Sequence, residues 1–309
     1  MRWRKLGLVF EPNKALWWQQ YYGILPTPIY IENLRVIRVF FSTACNDRFG
    51  RVTFIDVDAA NPINVVYNHQ DYILDIGKLG AFDDCGVNIS AVINIDHNWY
   101  MYYAGYQRHY RTPFSILSGL AKSQDGITFS RYQDTPILER TNYELSLRSA
   151  PTIMVEDGIF KMWYVSDFGW KNIDSPHFKG KLMPLYCLKY GTSLNGINWD
   201  VTEEPVFKPV NDEFGFGRPY IYKDSKCYKL FYSIRRENVT YRLGYAESLD
   251  GIQWVRKDQE VGIDVSPEGW DSEMICYPAV ISVKNKTYLF YNGNNNGETG
   301  FGVAELIEE

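Results

Sequence analysis

Positive charge is scarce in this sequence: 32 Lys and Arg stand against 37 Asp and Glu, a formal net charge of −5. That balance argues against a general nucleic-acid binder, which carries a basic patch large enough to dominate its domain. Cysteine is sparse and unpatterned. Cys45, Cys85, Cys187, Cys227 and Cys276 are odd in number and show no CxxC spacing, so neither a disulfide framework nor a cysteine zinc site is expected, and reduced thiols in the cytosol fit better. Long apolar runs are missing too. The basic start is followed only by Leu6-Gly-Leu-Val-Phe10 before Glu11 and Pro12, too short for a signal peptide or a membrane span. A cytoplasmic protein with no membrane or nucleic-acid partner is expected. No HxxxH or HxxE spacing supports a metal site, and no cofactor is expected. No helix-period segment, linker or low-complexity run marks a second domain, so residues 1–309 read as one domain.

Aromatic residues are what the sequence has in excess: 24 Tyr, 17 Phe and 9 Trp, 16% of the chain. They favour strands, and their faces also pack on sugar rings. They recur in register. Ser123-Gln-Asp-Gly-Ile-Thr-Phe129, Ser193-Leu-Asn-Gly-Ile-Asn-Trp199 and Ser248-Leu-Asp-Gly-Ile-Gln-Trp254 are copies of one motif. Asp-Gly or Asn-Gly between strand-like residues is a strong hairpin signal, because the turn needs φ > 0 where Gly and Asn are tolerated.

Upstream of each copy the order repeats: a small or Pro residue opening an apolar strand, a turn, an aromatic-rich strand, a variable loop, then a third strand. The aromatic strands are Trp99-Tyr-Met-Tyr-Tyr103, Phe160-Lys-Met-Trp-Tyr164, Tyr228-Lys-Leu-Phe-Tyr232 and Thr287-Tyr-Leu-Phe-Tyr291, with a degenerate first copy at Val36-Ile-Arg-Val-Phe-Phe41. Five units of four strands predict an all-β, five-bladed propeller with a central channel. The last unit ends near Ala304 with three strands. Trp3–Pro12 resembles the fourth strand Trp199–Pro209, so the N-terminal strand is expected to complete the last blade and cover its open edge.

On these repeats the whole chain resembles the five-bladed propeller glycosidases, the superfamily of arabinanases, β-xylosidases, levansucrases and invertases with its predicted-glycosidase members. The resemblance implies an active site in the central funnel, with an Asp in blade one, an Asp in blade two and a Glu in blade three near the starts of the innermost strands. Glycoside hydrolysis needs one carboxylic acid to protonate the leaving oxygen and a second carboxylate, roughly 5 to 9.5 Å away, to attack or to activate water. Blade two offers Asp83 and Asp84, with Asp84 matching the family's second acid. Blade three offers Glu144 in Tyr143-Glu-Leu-Ser-Leu-Arg148, and blade five offers Glu273. Blade one departs from the pattern: Ile24-Leu-Pro-Thr-Pro28 has no Asp. Either Glu273 or Asp47 replaces it, the mechanism differs, or hydrolysis is lost.

The loops between second and third strands share the funnel face with these carboxylates, and they are basic. They carry Arg48 and Arg51, Arg108, His109 and Arg111, a blade-three insertion with Trp170, Lys171 and His177, and Arg235-Arg236, with Arg218 at a strand start. Cations gathered on one face of an acidic protein suggest an anionic ligand, since Arg binds carboxylate or phosphate through two prongs. The residues expected to bind substrate are Asp83, Arg48, Arg148, Arg218, Arg235, His109, His177 and Trp18, the last within Trp17-Trp18-Gln-Gln-Tyr-Tyr22 at the funnel entry. Each also reads as an ordinary loop residue. Two functions follow: a glycosidase or transglycosidase acting on a small anionic carbohydrate through Asp84 with Glu144 or Glu273, or a non-hydrolytic relative handling a sugar phosphate or nucleotide-sugar in surface-polysaccharide biosynthesis. A propeller can also serve as a plain interaction scaffold.

Overall fold

The computed structural model describes residues 1–308. After strand β1 (Arg2–Phe10), the chain forms successive antiparallel units. The first is β2 (Tyr21–Ile31), β3 (Val36–Ala44), β4 (Gly50–Asp58) and β5 (Val65–Asn68). The second is β6 (Val87–Ile95), β7 (Asn98–Arg108), β8 (Phe114–Ser123) and β9 (Ser130–Arg131). β10 (Leu147–Glu156), β11 (Ile159–Ile173), β12 (Lys181–Ser193) and β13 (Asp200–Val201) make the third; β14 (Glu213–Lys223), β15 (Tyr228–Arg236), β16 (Arg242–Ser248) and β17 (Val255–Arg256) the fourth. The fifth is β18 (Cys276–Val283), β19 (Lys286–Asn292) and β20 (Phe301–Glu308), completed by β1. A short parallel pairing of β8 with β10 joins the second and third units into one sheet.

The N-terminal strand lies where the repeat places it. β1 runs antiparallel to β20, with Lys5 opposite Ala304 and Phe10 opposite Phe301. The indole of Trp3 donates to the Val261 carbonyl at 2.9 Å. The outer fourth strands are shorter than the repeat suggests: β9, β13 and β17 have two residues each. Pro136 and Pro205 lie in the segments that follow two of them and cannot donate to a ladder, so contact resumes only at single bridges, Ser118 to Leu138 and Leu188 to Phe207.

The five innermost strands touch in a ring, β2 to β6 to β10 to β14 to β18 and back to β2. Strands packed on both faces lose polar alternation, and β3 is buried at all nine positions. The repeated Ser-x-Asp/Asn-Gly motif connects third to fourth strands. In the third unit Asn195 Oδ1 accepts from the backbone N–H groups of Ile197 and Asn198, and Ser193 Oγ accepts from Gly196 N–H. The freed glycine carbonyl is taken by the preceding unit: Tyr102 Oη donates to Gly196 O at 2.9 Å, and Trp163 Nε1 to Gly251 O at 2.9 Å. The turn motif is therefore also a latch between units.

Candidate functional site

Every innermost strand carries a bulge where it nears the axis, seen as a break in register within Ile24–Thr27, Ile89–Ala91, Ser149–Thr152, Gly217–Tyr220 and Cys276–Ala279. In four of them the residue before a proline is left-handed: Leu25 (φ 60°), Ala150 (φ 50°), Arg218 (φ 40°) and Tyr277 (φ 55°). Such a conformation is costly for residues other than glycine and re-aims the side chain. All four residues line one central chamber of ≈ 90 Å³. Ile24, Asn88 and Tyr106 belong both to this chamber and to an outer one of ≈ 260 Å³, whose wall includes Tyr22, Thr43, Arg48, Cys85, Arg108 and Phe114. The two form a continuous funnel.

Two buried guanidinium groups dominate its electrostatics. Arg218 closes the axis: its Nη1 donates to the carbonyls of Pro26 (2.9 Å), Tyr277 (3.2 Å) and Pro278 (3.2 Å), and its Nη2 to Thr27 Oγ1 (2.7 Å). Burial pushes it down to about 10. Arg235 lies behind the chamber wall, 4.7 Å from the Tyr186 ring, 4.6 Å from Phe214 and 5.6 Å from Tyr241. Its Nη1 reaches the Pro184 carbonyl only at 3.5 Å, and its Nε is buried without a partner. Burial opposes its charge, and the phenols of Tyr241, Tyr186 and Tyr277 surround it. Among the described residues neither arginine is ion-paired with a carboxylate. Tyr106, Tyr186, Tyr241 and Tyr277 line the inner chamber, and burial raises all four phenols, so they stand as neutral hydrogen-bond donors.

The expected carboxylates lie elsewhere. Glu144 is buried within the third unit: Tyr164 Oη donates to its Oε1 at 2.9 Å, while Arg148 Nε and Lys189 Nζ sit 3.3 and 3.6 Å from its Oε2. Asp83 is fully buried against Arg131 Nε at 2.8 Å, beside Tyr103. The same pattern recurs in two further units. Tyr232 donates to Asp258 (2.6 Å), which pairs with Arg256, and Tyr291 donates to Asp271 (2.9 Å), which pairs with Lys5. Tyr103, Tyr164, Tyr232 and Tyr291 occupy equivalent ends of the aromatic strands, where the first unit has Phe41. Glu144 thus belongs to a repeated phenol–carboxylate–cation lock, which satisfies a buried charge that would otherwise be expensive, and Asp83 to a looser copy of it in which Arg131 pairs with Oδ2 while Oδ1 and the Tyr103 hydroxyl have no hydrogen-bond partner.

Asp84 is half-buried, and its Oδ2 accepts from Gly80 N–H at 2.9 Å, closing the loop before β6. Glu273 is exposed on the loop before β18, and Asp47 is exposed beside Arg48. No Asp or Glu is among the residues lining either chamber. Asp167, missed by sequence reasoning, adjoins the inner chamber: its Oδ1 accepts from the N–H of Leu147, a chamber residue, at 2.8 Å, and burial raises its carboxyl.

Of the expected ligand residues, Arg48 lines the outer chamber, beside the loop residue Arg108, and Arg218 the inner one, whereas Arg235 lines neither. Arg48 stacks on Tyr21 at 3.6 Å and pairs with Glu298 at 3.2 Å. Arg148 is spent on Glu144 and the Glu139 carbonyl. His109 bonds Ser115 Oγ at 2.8 Å, and His177 is exposed on the blade-three arm; neither lines a chamber. Trp18 is buried, only 4% exposed, and it is Trp17 that faces outward, 57% exposed. Among the described residues no group of three or more His, Cys, Asp or Glu is placed to hold a metal ion, all five cysteines are unpaired, and no helix is long and apolar enough to cross a membrane. The chamber tyrosines and Asn88 were missed as well. For Tyr277 the signal was its place before a strand-opening proline, a slot it shares with Arg218.

Solved structures similar to this chain include glycoside hydrolases. A glycosyl hydrolase from Bacteroides ovatus superposes with a TM-score of 0.72 at 15% identity, covering 98% of this chain and 92% of its own. A structure from work on the GH130 family of mannoside phosphorylases, which contains glycoside hydrolases that target beta-1,2 mannosidic linkages in Candida mannan, gives 0.73 at 14%, covering 98% and 93%. A thermostable family-43 glycoside hydrolase gives 0.64 at 15%, covering 93% and 90%. At such identities the likeness is one of fold, and it agrees with the propeller-glycosidase resemblance of the repeats. No protein-family model matches the sequence. Similarity in sequence runs to Mycobacterium tuberculosis, where the uncharacterized protein Rv1502 is 32% identical over 312 residues and the uncharacterized protein MT1551 31%, each match covering 99% of both chains. The chain therefore belongs to the family of Rv1502, and this family has the fold of the propeller glycosidases.

Proposed function

We propose that this chain is a single five-bladed propeller of glycosidase type whose funnel binds a small anionic carbohydrate. The ring of innermost strands supports the five-blade count, and Arg235 carries the ligand assignment. A guanidinium buried just behind the chamber wall among neutral phenols, and paired with no carboxylate, supports a subsite for a ligand's negative charge, where charge-assisted hydrogen bonds contribute about 1.5–3 kcal/mol each. The neutral phenols and Asn88 offer hydrogen bonds to sugar hydroxyls. Of the two chemistries open to the chain, the lining favours the non-hydrolytic one, handling a sugar phosphate, a nucleotide-sugar or a uronate, because the walls present cations and phenols.

Hydrolysis keeps one observation in its favour. Asp167, with its raised carboxyl, stands behind Leu147 as an acid, and Asp84, Glu144 or Glu273 would then supply the second carboxylate. Titration calorimetry with glucuronate, glucose 1-phosphate and glucose separates the readings. Binding of at least one anionic probe but not of glucose, lost about tenfold or more in Arg235→Met, is expected. Equal binding of glucose and both anions would remove the anion subsite. Turnover of an aryl glycoside that disappears in Asp84→Asn, Glu144→Gln or Glu273→Gln would establish hydrolysis instead.

A further inference from the structure

The entry segment holds two adjacent tryptophans with opposite fates. Trp18 is buried and its carbonyl accepts from Thr43 Oγ1 at 3.1 Å. Trp17 leaves more than half its surface in solvent, yet its ring is held in place. The Arg51 guanidinium lies 4.7 Å from its centroid, and Tyr72 meets it edge-on at 6.4 Å. Arg51 is itself only 6% exposed and is fixed by Asp75 at 2.7 Å, a carboxylate whose side chain is 44% exposed. An exposed indole braced from beneath, next to a half-exposed carboxylate and a phenol, joins a flat apolar face to strong hydrogen-bond acceptors. That combination suits a sugar ring, which has C–H faces and hydroxyl edges.

The platform also borders the funnel. Thr43 and Gly50 line the outer chamber, and Arg51, directly after Gly50, is the cross-strand partner of Thr43. We propose that Trp17, with Tyr72 and Asp75, forms an outer subsite for a neutral sugar unit of a ligand whose anionic unit occupies the funnel. Asp75 would repel a second acidic unit, so the chemistry favours an acidic oligosaccharide with its charge at one end. The assignment rests on the carbohydrate reading of the funnel.

The test is titration calorimetry on the full chain with glucuronate and with aldotriouronic acid, a glucuronate carrying two neutral xylose units. The trisaccharide is expected to bind about tenfold tighter. Trp17→Ala should bring it down to the affinity of glucuronate, and Trp17→Phe should keep part of the gap. Arg235→Met should weaken both probes together. Glucuronate binding with no advantage for the trisaccharide, or an advantage that survives in Trp17→Ala, overturns the outer subsite and leaves the funnel reading standing. Failure of both probes to bind overturns the outer subsite, and the funnel reading falls with it only if glucose 1-phosphate fails to bind as well.

Discussion

Two arginines that look alike in the sequence do different work. Arg218 spends its guanidinium on three carbonyls and a hydroxyl from the first and fifth units, so it bolts the ring together at its axis. Arg235 is buried with one long hydrogen bond. Removing the first orphans several buried acceptors, each costing about 1–3 kcal/mol, whereas removing the second relieves an uncompensated charge. Arg218→Met is therefore expected to lower the urea midpoint by an amount equivalent to about 2–4 kcal/mol. Arg235→Met should leave the midpoint within about 1 kcal/mol of the parent or raise it. If both variants lose stability alike, Arg235 is a packing residue and the anion assignment falls with it.

At the scale of the element, the repeated turn does more than reverse the chain. Its glycine sits against the aromatic strand of the preceding unit: a Cβ on Gly196, whose φ is +70°, would lie 2.6 Å from Tyr102 Oη and 2.8 Å from the Phe160 ring. Gly196→Ala meets both a left-handed backbone and the loss of the Tyr102 latch. A destabilisation of about 2–3 kcal/mol by denaturant titration is expected, and a value under about 0.5 kcal/mol would show that the latch contributes nothing. The aromatic strands were legible because their composition repeats at fixed offsets from this turn. The lock that holds Asp83 and Glu144 was not. A carboxylate before an inner strand looks the same in sequence whether it faces a funnel or a phenol and a cation contributed by a distant segment, as Arg131 and Lys5 show.

For the whole molecule, closure depends on one strand from each end of the chain. Deleting residues 1–10 removes β1 and leaves β20 as an unpaired edge with Phe301 and Val303 uncovered. A truncated chain is expected to aggregate or self-associate in size-exclusion chromatography, because an open apolar edge templates further pairing. A monodisperse, equally stable product would mean that β1 is dispensable. The closing strand could be read from sequence because Trp3–Pro12 copies a fourth-strand pattern and the last unit lacks one. By itself, the sequence determined the all-β class, the repeating strand order and the place of the N-terminal strand, since each rests on local periodicity and turn chemistry. Only the tertiary structure decided which charges face the funnel and which are locked within a unit, and which of Trp17 and Trp18 reaches solvent. Those outcomes depend on partners far apart in sequence, drawn from other strands of the same unit for the locks and from other units for Arg218, and on bulges that turn Arg218 and Tyr277 toward the axis.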